Sequence, residues 1–347
     1  MTHVANLLDR PAETAAIPWP QGLGRRFMLW VDTEEEFDWA APFDRSATQV
    51  TVMVGMGRFQ AFMRDVGVRP IYVTDYAVAQ SEAANALMRD WVAEGSADIG
   101  VHLHPWVNPP HEEAVSARNS YAGNLPRTLE HAKLIALRDR IEARLGVRPV
   151  AYRAGRYGIG PHSAAILEEA GFRIDSSVRS RFDYRRQHGP DFTGMPLWPY
   201  RAGPTGRLIE LPLSTAFVGG LGRWGDQLHG HVERVGRLGG LLSRVGLLTR
   251  IPLTPEGVSA TECCAAIDSL IAENLPLLNF SFHSPTLEPG HTPYTRTDAD
   301  VTAFYRWWDH VLAHLDRRDV RPIDQATLLE ALSPDGEFRL PSGEGAG

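Results

Sequence analysis

From Arg26 onward, short apolar runs alternate with longer amphipathic stretches, and this alternation sets the expected architecture. The runs Phe27–Val31, Pro70–Thr74, Asp98–Val101, Pro149–Arg153, Arg173–Val178, Leu208–Leu213, Leu277–His283 and Val320–Ile323 are bounded by Gly, Pro, Asp or Asn. They are apolar enough to be buried on both faces, as strands of a parallel sheet are. Helices are expected at Val52–Val66, Ser81–Glu94, Thr128–Leu145, Pro161–Ala170, Ser259–Asn274 and Ala299–Leu315. Pro161 suits a first helical position, and Gly95, Gly146 and Gly171 stand where left-handed caps are expected. Strands alternating with helices over this length predict an α/β barrel or a large doubly wound sheet.

Two segments depart from the alternation. Residues 1–25 mix small, polar and proline residues and read as a loose N-terminal arm. Residues 218–257 are rich in glycine and arginine and read as a partly helical insertion between late strands. A solvated cap is the plain reading of that insertion; a lid, or a peripheral contact with an anionic lipid or polymer, is the sharper one. The expected organisation is thus an arm (1–25), a barrel (26–335) carrying the insertion, and a flexible tail (336–347).

Composition narrows the function. Of 347 residues, 43% are hydrophobic and 22% charged, which fits a globular chain with a large core. A formal net charge of -7 argues against nucleic acid as the partner. No stretch approaches the ~20 apolar residues of a membrane span. The first 25 residues lack a basic start followed by an apolar run, and the two cysteines, Cys263 and Cys264, are adjacent. A reduced, cytoplasmic protein without a secretory signal is expected. Oligomeric state is left open.

In barrels and open α/β sheets, reactive groups collect at the carboxyl ends of strands. The first strand runs into Asp32-Thr33-Glu34-Glu35-Glu36-Phe37-Asp38-Trp39. Residues two apart share a face, so Asp32 and Glu34 point together. Five carboxylates in seven residues repel one another unless solvent or a cation intervenes; a solvated acidic loop is the plain alternative. The third strand runs into His102-Leu103-His104-Pro105-Trp106, an H-x-H spacing suited to zinc-like ions or to a hydrogen-bonded turn. The fourth gives Arg153-Ala154-Gly155-Arg156-Tyr157-Gly158, where a buried arginine calls for a carboxylate and the glycines allow close backbone approach. Asp175 closes the fifth strand and His283 the seventh. Together these point to a metal site.

Those five stations, in this order, resemble the polysaccharide deacetylase family, the NodB-homology or family 4 carbohydrate esterases, over roughly Arg26 to Leu332. The DTEEEFDW and HLHPW signatures are similar to a deacetylase-like subgroup within it. The resemblance implies a distorted (β/α)7–8 barrel holding one divalent metal, zinc first, with iron, cobalt or nickel as alternatives. It implies Asp32 as general base, Glu34, His102 and His104 as metal ligands, Arg153 as the residue orienting the base, Asp175 beside the site, and His283 as general acid. Two departures stand out. Thr33 separates acids that are consecutive in the family, so the roles of Asp32 and Glu34 could be exchanged. Trp106 occupies the place of the usual second histidine, for which His104 must substitute.

The expected function is metal-dependent removal of an N-acetyl group from a sugar of a cell-surface polysaccharide precursor. Trp106, Tyr152, Tyr157 and Trp198 are the candidates for stacking on the sugar, core packing being their plain alternative. A cytoplasmic hydrolase of a small non-sugar amide or cyclic ureide is a second reading, and a metal-dependent glycosidase a third. A catalytically silent carbohydrate-binding relative is the reading from another class.

Overall fold

The computed structural model describes residues 2–226 and 247–333. Along the chain run β1 (Arg25–Thr33), α1 (Met53–Asp65), β2 (Ile71–Thr74), α2 (Tyr76–Gln80), α3 (Glu82–Ala93) and β3 (Asp98–Leu103). Then come α4 (Arg127–Leu145), β4 (Ala151–Ala154), α5 (Ser163–Glu169), β5 (Ile174–Asp175), β6 (Tyr200–Ala202), β7 (Leu208–Glu210) and β8 (Thr215–Val218). The remainder is β9 (Thr249–Pro252), α6 (Ala260–Ala272), β10 (Leu277–His283), α7 (Asp298–Arg317), β11 (Val320–Pro322) and α8 (Gln325–Ala331).

Nine strands form one curled sheet in the order β10-β1-β2-β3-β4-β5-β7-β6, with β11 paired to the part of β1 that β2 does not reach. All pairings are parallel except β6 with β7. Every expected strand is present, although the fifth shrinks to Ile174–Asp175. The barrel is distorted because irregular chain closes it. Across the seam Asn279 N–H donates to Ser214 Oγ (2.9 Å) and its side-chain amide to the Pro212 carbonyl (3.0 Å); Ser281 N–H donates to the Leu253 carbonyl (3.2 Å).

The period-2 alternation divides the core. Phe27, Leu29 and Val31 of β1 pack outward with Val101, Phe280 and Phe282 against the helices, while Met28 and Trp30 point inward to Ile71, Val73, Ile174 and Leu277. Local signals fix the helix ends. Reciprocal capping boxes, Ser259 with Glu262 and Thr297 with Asp300, start α6 and α7. Gly146, at φ 70°, ends α4 in the left-handed conformation.

Of residues 1–25, expected to be a loose arm, the described ones are docked. Val4 N–H donates to the Arg201 carbonyl (3.1 Å) and Ile17 N–H to that of Pro199 (3.0 Å), with Leu7 fully buried. The cause is the edge strand β6, whose backbone groups would otherwise stand open. At the borders of the expected insertion (218–257), β8 and β9 pair as an antiparallel ribbon; residues 227–246, and the expected tail at 336–347, lie outside the described residues. Among the described residues, no helix is long and apolar enough to cross a membrane.

Candidate metal centre and active site

Inward-facing positions change character along each strand. On β1 they run Met28, Trp30, Asp32 and then Glu34; on β10, Leu277, Asn279, Ser281, His283; on β3 and beyond, Gly100, His102, His104. The floor is apolar and the carboxyl ends are polar. Register then sets the neighbours: Asp32 is level with His283, and His102 with Arg153. A pocket of about 300 Å³ opens above them, lined by Asp32, Glu34, His102, His104, Tyr157 and His283 among others.

Glu34 Oε2 lies 3.5 Å from His102 Nε2 and 3.4 Å from His104 Nε2. The other nitrogen of each ring is committed. His102 Nδ1 donates to the Arg153 carbonyl (3.0 Å), an acceptor only, and His104 Nδ1 bonds Glu35 Oε2 (2.8 Å). With both protons on Nδ1, two lone pairs and a carboxylate oxygen converge without a hydrogen between them. That arrangement is repulsive unless a proton or a cation fills it. Burial lowers both imidazoles, His104 to about 4, and raises Glu34 to about 7, so neither ring supplies a full positive charge at neutral pH. Glu34 Oε1 is buried without any partner. A tetrahedral ion with bonds of ~2.0–2.1 Å separates its ligand atoms by about 3.4 Å. The three residues therefore fit a divalent metal by chemistry and spacing.

Support behind the ligands is dense. Glu35 takes the Trp106 indole N–H (2.8 Å) as well as His104, and its own N–H donates to Asp75 Oδ2 (3.1 Å). Asp75 also caps α2 through the Val78 N–H (2.7 Å). Burial, and then the neighbouring Glu35, push the Asp75 carboxyl well above the ordinary aspartate range. Trp106 stacks on the His104 ring at 4.2 Å between centroids. Gly155 makes room for that ring, since a Cβ there would stand 2.3 Å from His104 Cδ2.

Asp32 and His283 flank these three residues with opposite character. Asp32 Oδ1 accepts from Arg153 Nη1 at 2.6 Å; Arg153 Nε and Nη2 are spent on the Ser176 carbonyl and hydroxyl. Burial would raise the Asp32 carboxyl, but Arg153, His102 and His283 outweigh it and hold it below the ordinary range. His283 Nδ1 bonds Glu256 Oε2 at 2.8 Å, and its Nε2 lies 3.9 Å from Asp32 Oδ2. Burial would lower this imidazole; Glu256, Glu34 and Asp32 outweigh it and raise it to about 10. An ionised carboxylate and a protonated imidazole thus stand side by side at the rim of the pocket.

The structure brings together Asp32, Glu34, His102, His104, Arg153, Tyr157 and His283. It does not bring Asp175, Tyr152 or Trp198. Asp175 and Tyr152 are level with each other on the helix-facing side of the sheet, where Asp175 takes the Ser177 hydroxyl (2.5 Å) and adjoins Glu210. One residue of parity separates them from the inward row. Trp198 borders a separate cavity with Arg10 and Glu13. Trp106 is buried behind His104, away from the pocket surface, and acts there as a support. Sequence reasoning missed Asp75, Glu256 and the supporting place of Glu35. Asp75 directly follows β2 and obeys the strand-end rule; Glu256 lies in an irregular Thr-Pro-Glu-Gly loop that carries no such signal.

Neither a protein-family model nor a curated protein matches the sequence. Among solved structures, the chain is similar to a protein described as a polysaccharide deacetylase from Mycobacterium smegmatis, with 16% identity, TM-score 0.46, and 91% of this chain and 98% of that one covered. It is similar to the peptidoglycan deacetylase PdaC from Bacillus subtilis at 11% identity and TM-score 0.38, covering 89% and 92%. A GH57 branching enzyme from the archaeon Thermococcus kodakaraensis aligns at 11% identity and TM-score 0.50, over 88% of this chain and 71% of that one. What this chain shares with the branching enzyme is its fold, a distorted α/β barrel.

Proposed function

We propose that the protein is a metal-dependent amide hydrolase that removes an N-acetyl group from a sugar, the sugar belonging to a precursor of a cell-surface polysaccharide. The observation that carries this reading is the convergence of Glu34, His102 and His104 beside an Asp32–Arg153 pair and a His283–Glu256 pair. Zinc suits one carboxylate with two imidazoles. A divalent cation held there supplies Lewis-acid polarisation of the amide carbonyl and acidification of water.

The chain's own residues do the rest. Asp32, kept ionised by Arg153, accepts the proton of the attacking water. His283, kept protonated by Glu256, delivers a proton to the departing nitrogen, without which an amine is a very poor leaving group. The turn at Arg156–Tyr157, with φ of 56° and 60°, lines the pocket, and its Tyr157 N–H is the protein donor proposed for the developing oxyanion. Arg156 and Tyr157 hold an uncommon backbone conformation for non-glycine residues, one that functional sites concentrate.

Metal content of the native protein beside Glu34→Ala and His104→Ala, followed by acetate release from N-acetylated sugars, tests the reading. About one equivalent of metal in the native protein, loss of it in both variants, and metal-dependent acetate release are expected. Native protein that takes up no metal when supplied, or that releases reducing sugar or ammonia in place of acetate, overturns it.

A further inference from the structure

The pocket carries more positive charge than the chemistry above uses. Asp32 is balanced by Arg153 and His283 by Glu256. Two further cations, Arg156 and Arg179, line the same pocket. Among the described residues, neither forms an ion pair with a carboxylate. Arg156 donates to neutral acceptors only, the hydroxyl of Ser120 (2.5 Å) and the amide oxygen of Gln187 (2.9 Å). Arg179 donates to the Tyr184 hydroxyl (2.8 Å). Glu256 is the acid whose field reaches Arg179, yet its oxygens are spent on the His283 ring and N–H and on Thr286.

Both guanidinium groups are also held flat against rings. Arg156 sits over Tyr121 at 4.2 Å and Phe43 at 4.9 Å; Arg179 sits over Phe182 at 4.1 Å and Tyr157 at 4.9 Å. Stacking fixes a guanidinium plane while leaving edge N–H groups for a ligand. A half-buried cation with neutral neighbours is costly to desolvate, and an incoming anion offsets that cost. Substrate stacking on Phe37, Trp39, Tyr121 or Tyr157 alone would need no cation.

We infer that the substrate is anionic: an N-acylated sugar bearing a carboxylate or phosphate that Arg156 and Arg179 grip while its amide lies at Glu34, His102 and His104. This inference rests on the deacetylase reading for the amide, but its anion-binding half is measurable without turnover. Planar, fixed guanidinium groups match the oxygens of either anion.

The test measures binding to metal-loaded protein by calorimetry, together with acetate release. Its probes are neutral N-acetylglucosamine, N-acetylglucosamine 1-phosphate for the phosphate and N-acetylmuramic acid for the carboxylate. Native protein is compared with Arg156→Gln and Arg179→Gln. The expected result is that one of the two anionic sugars binds about 10–100-fold tighter than the neutral sugar, the scale of a charge-assisted hydrogen bond. That preference shrinks with added salt and collapses towards one in the variants, which keep their metal. Which anion wins names the source of the charge. If the preference collapses as expected but no acetate appears, the anion site stands and the deacetylase reading falls. If acetate is released with no preference for either anionic sugar, the inference is overturned and the deacetylase reading stands. A preference that survives in both variants also overturns it, because the anion then sits on the metal.

Discussion

Replacing Arg153 with Met probes the buried pair on which the proposed base depends. Arg153 is fully buried and Asp32 is 2% exposed, so the substitution strands a carboxylate in the barrel with no counter-charge. It also removes donors from the Ser176 carbonyl and hydroxyl. Breaking one side of a buried pair costs about 3–5 kcal/mol, a large part of a total stability of roughly 5–15 kcal/mol. Asp32→Asn strands the cation and is expected to cost a similar amount. In Asp32→Asn/Arg153→Met both charges are gone, so the double variant loses less than the sum of the singles, by about 2–3 kcal/mol. Urea unfolding of the four proteins measures this coupling. Activity gives a second, independent reading. Asp32 works when ionised, so the rate rises with pH through its pKa. Without Arg153 burial wins, and that acidic limb moves to higher pH. Singles that add to within about 0.5 kcal/mol, or an acidic limb of kcat/KM in Arg153→Met that stays where the native one lies, would refute the pairing as the device that keeps Asp32 charged.

Three further outcomes follow from the same geometry. Glu35→Gln removes the charged acceptor behind His104 without touching the three converging atoms; chelator competition is expected to show metal affinity reduced about 10–100-fold, and an unchanged affinity would make Glu35 a bystander. Glu256→Gln takes away the largest of the influences holding His283 up near 10. Because the general acid works protonated, its alkaline limb is expected to move to lower pH, and an imidazole titration of metal-free protein by NMR to follow it; no movement in either would remove Glu256 as the partner. Glu130 is buried, accepts from the Ser163 hydroxyl and is raised by burial to about 7. Its folded pKa lies above its unfolded one, so its contribution to native stability is fullest at low pH and is lost as pH rises from about 4.5 through 7, by about 3 kcal/mol in all. Urea midpoints for Glu130→Gln should lack that fall, and parallel curves for the two proteins would contradict it.

The parts of this site legible in the sequence are those written by period and position. Alternation on β1 put Asp32 and Glu34 on one face, and the H-x-H spacing did the same for His102 and His104, because successive strand residues point to opposite sides. The strand-end rule supplied Arg153 and His283 for a related reason: parallel strands all deliver their carboxyl ends to one rim. The same logic explains the error at Asp175. It stands at a strand end, but one residue out of phase with Ile174, which is inward; register alone, invisible in a single sequence, turns it to the helices. Tyr152 fails identically beside Arg153. Glu256 was illegible for a different reason, since it reaches His283 from irregular chain after β9, where no periodicity says which way a side chain points. That difference bears on the chemistry. A proton donor fixed by a carboxylate from a loop, next to a base fixed by an arginine from a strand, places one half of the proposed acid–base pair on the sheet and the other under the control of the segment between β9 and α6. Changes in that segment are therefore expected to act on the departing amine through His283 before they act on the attacking water through Asp32.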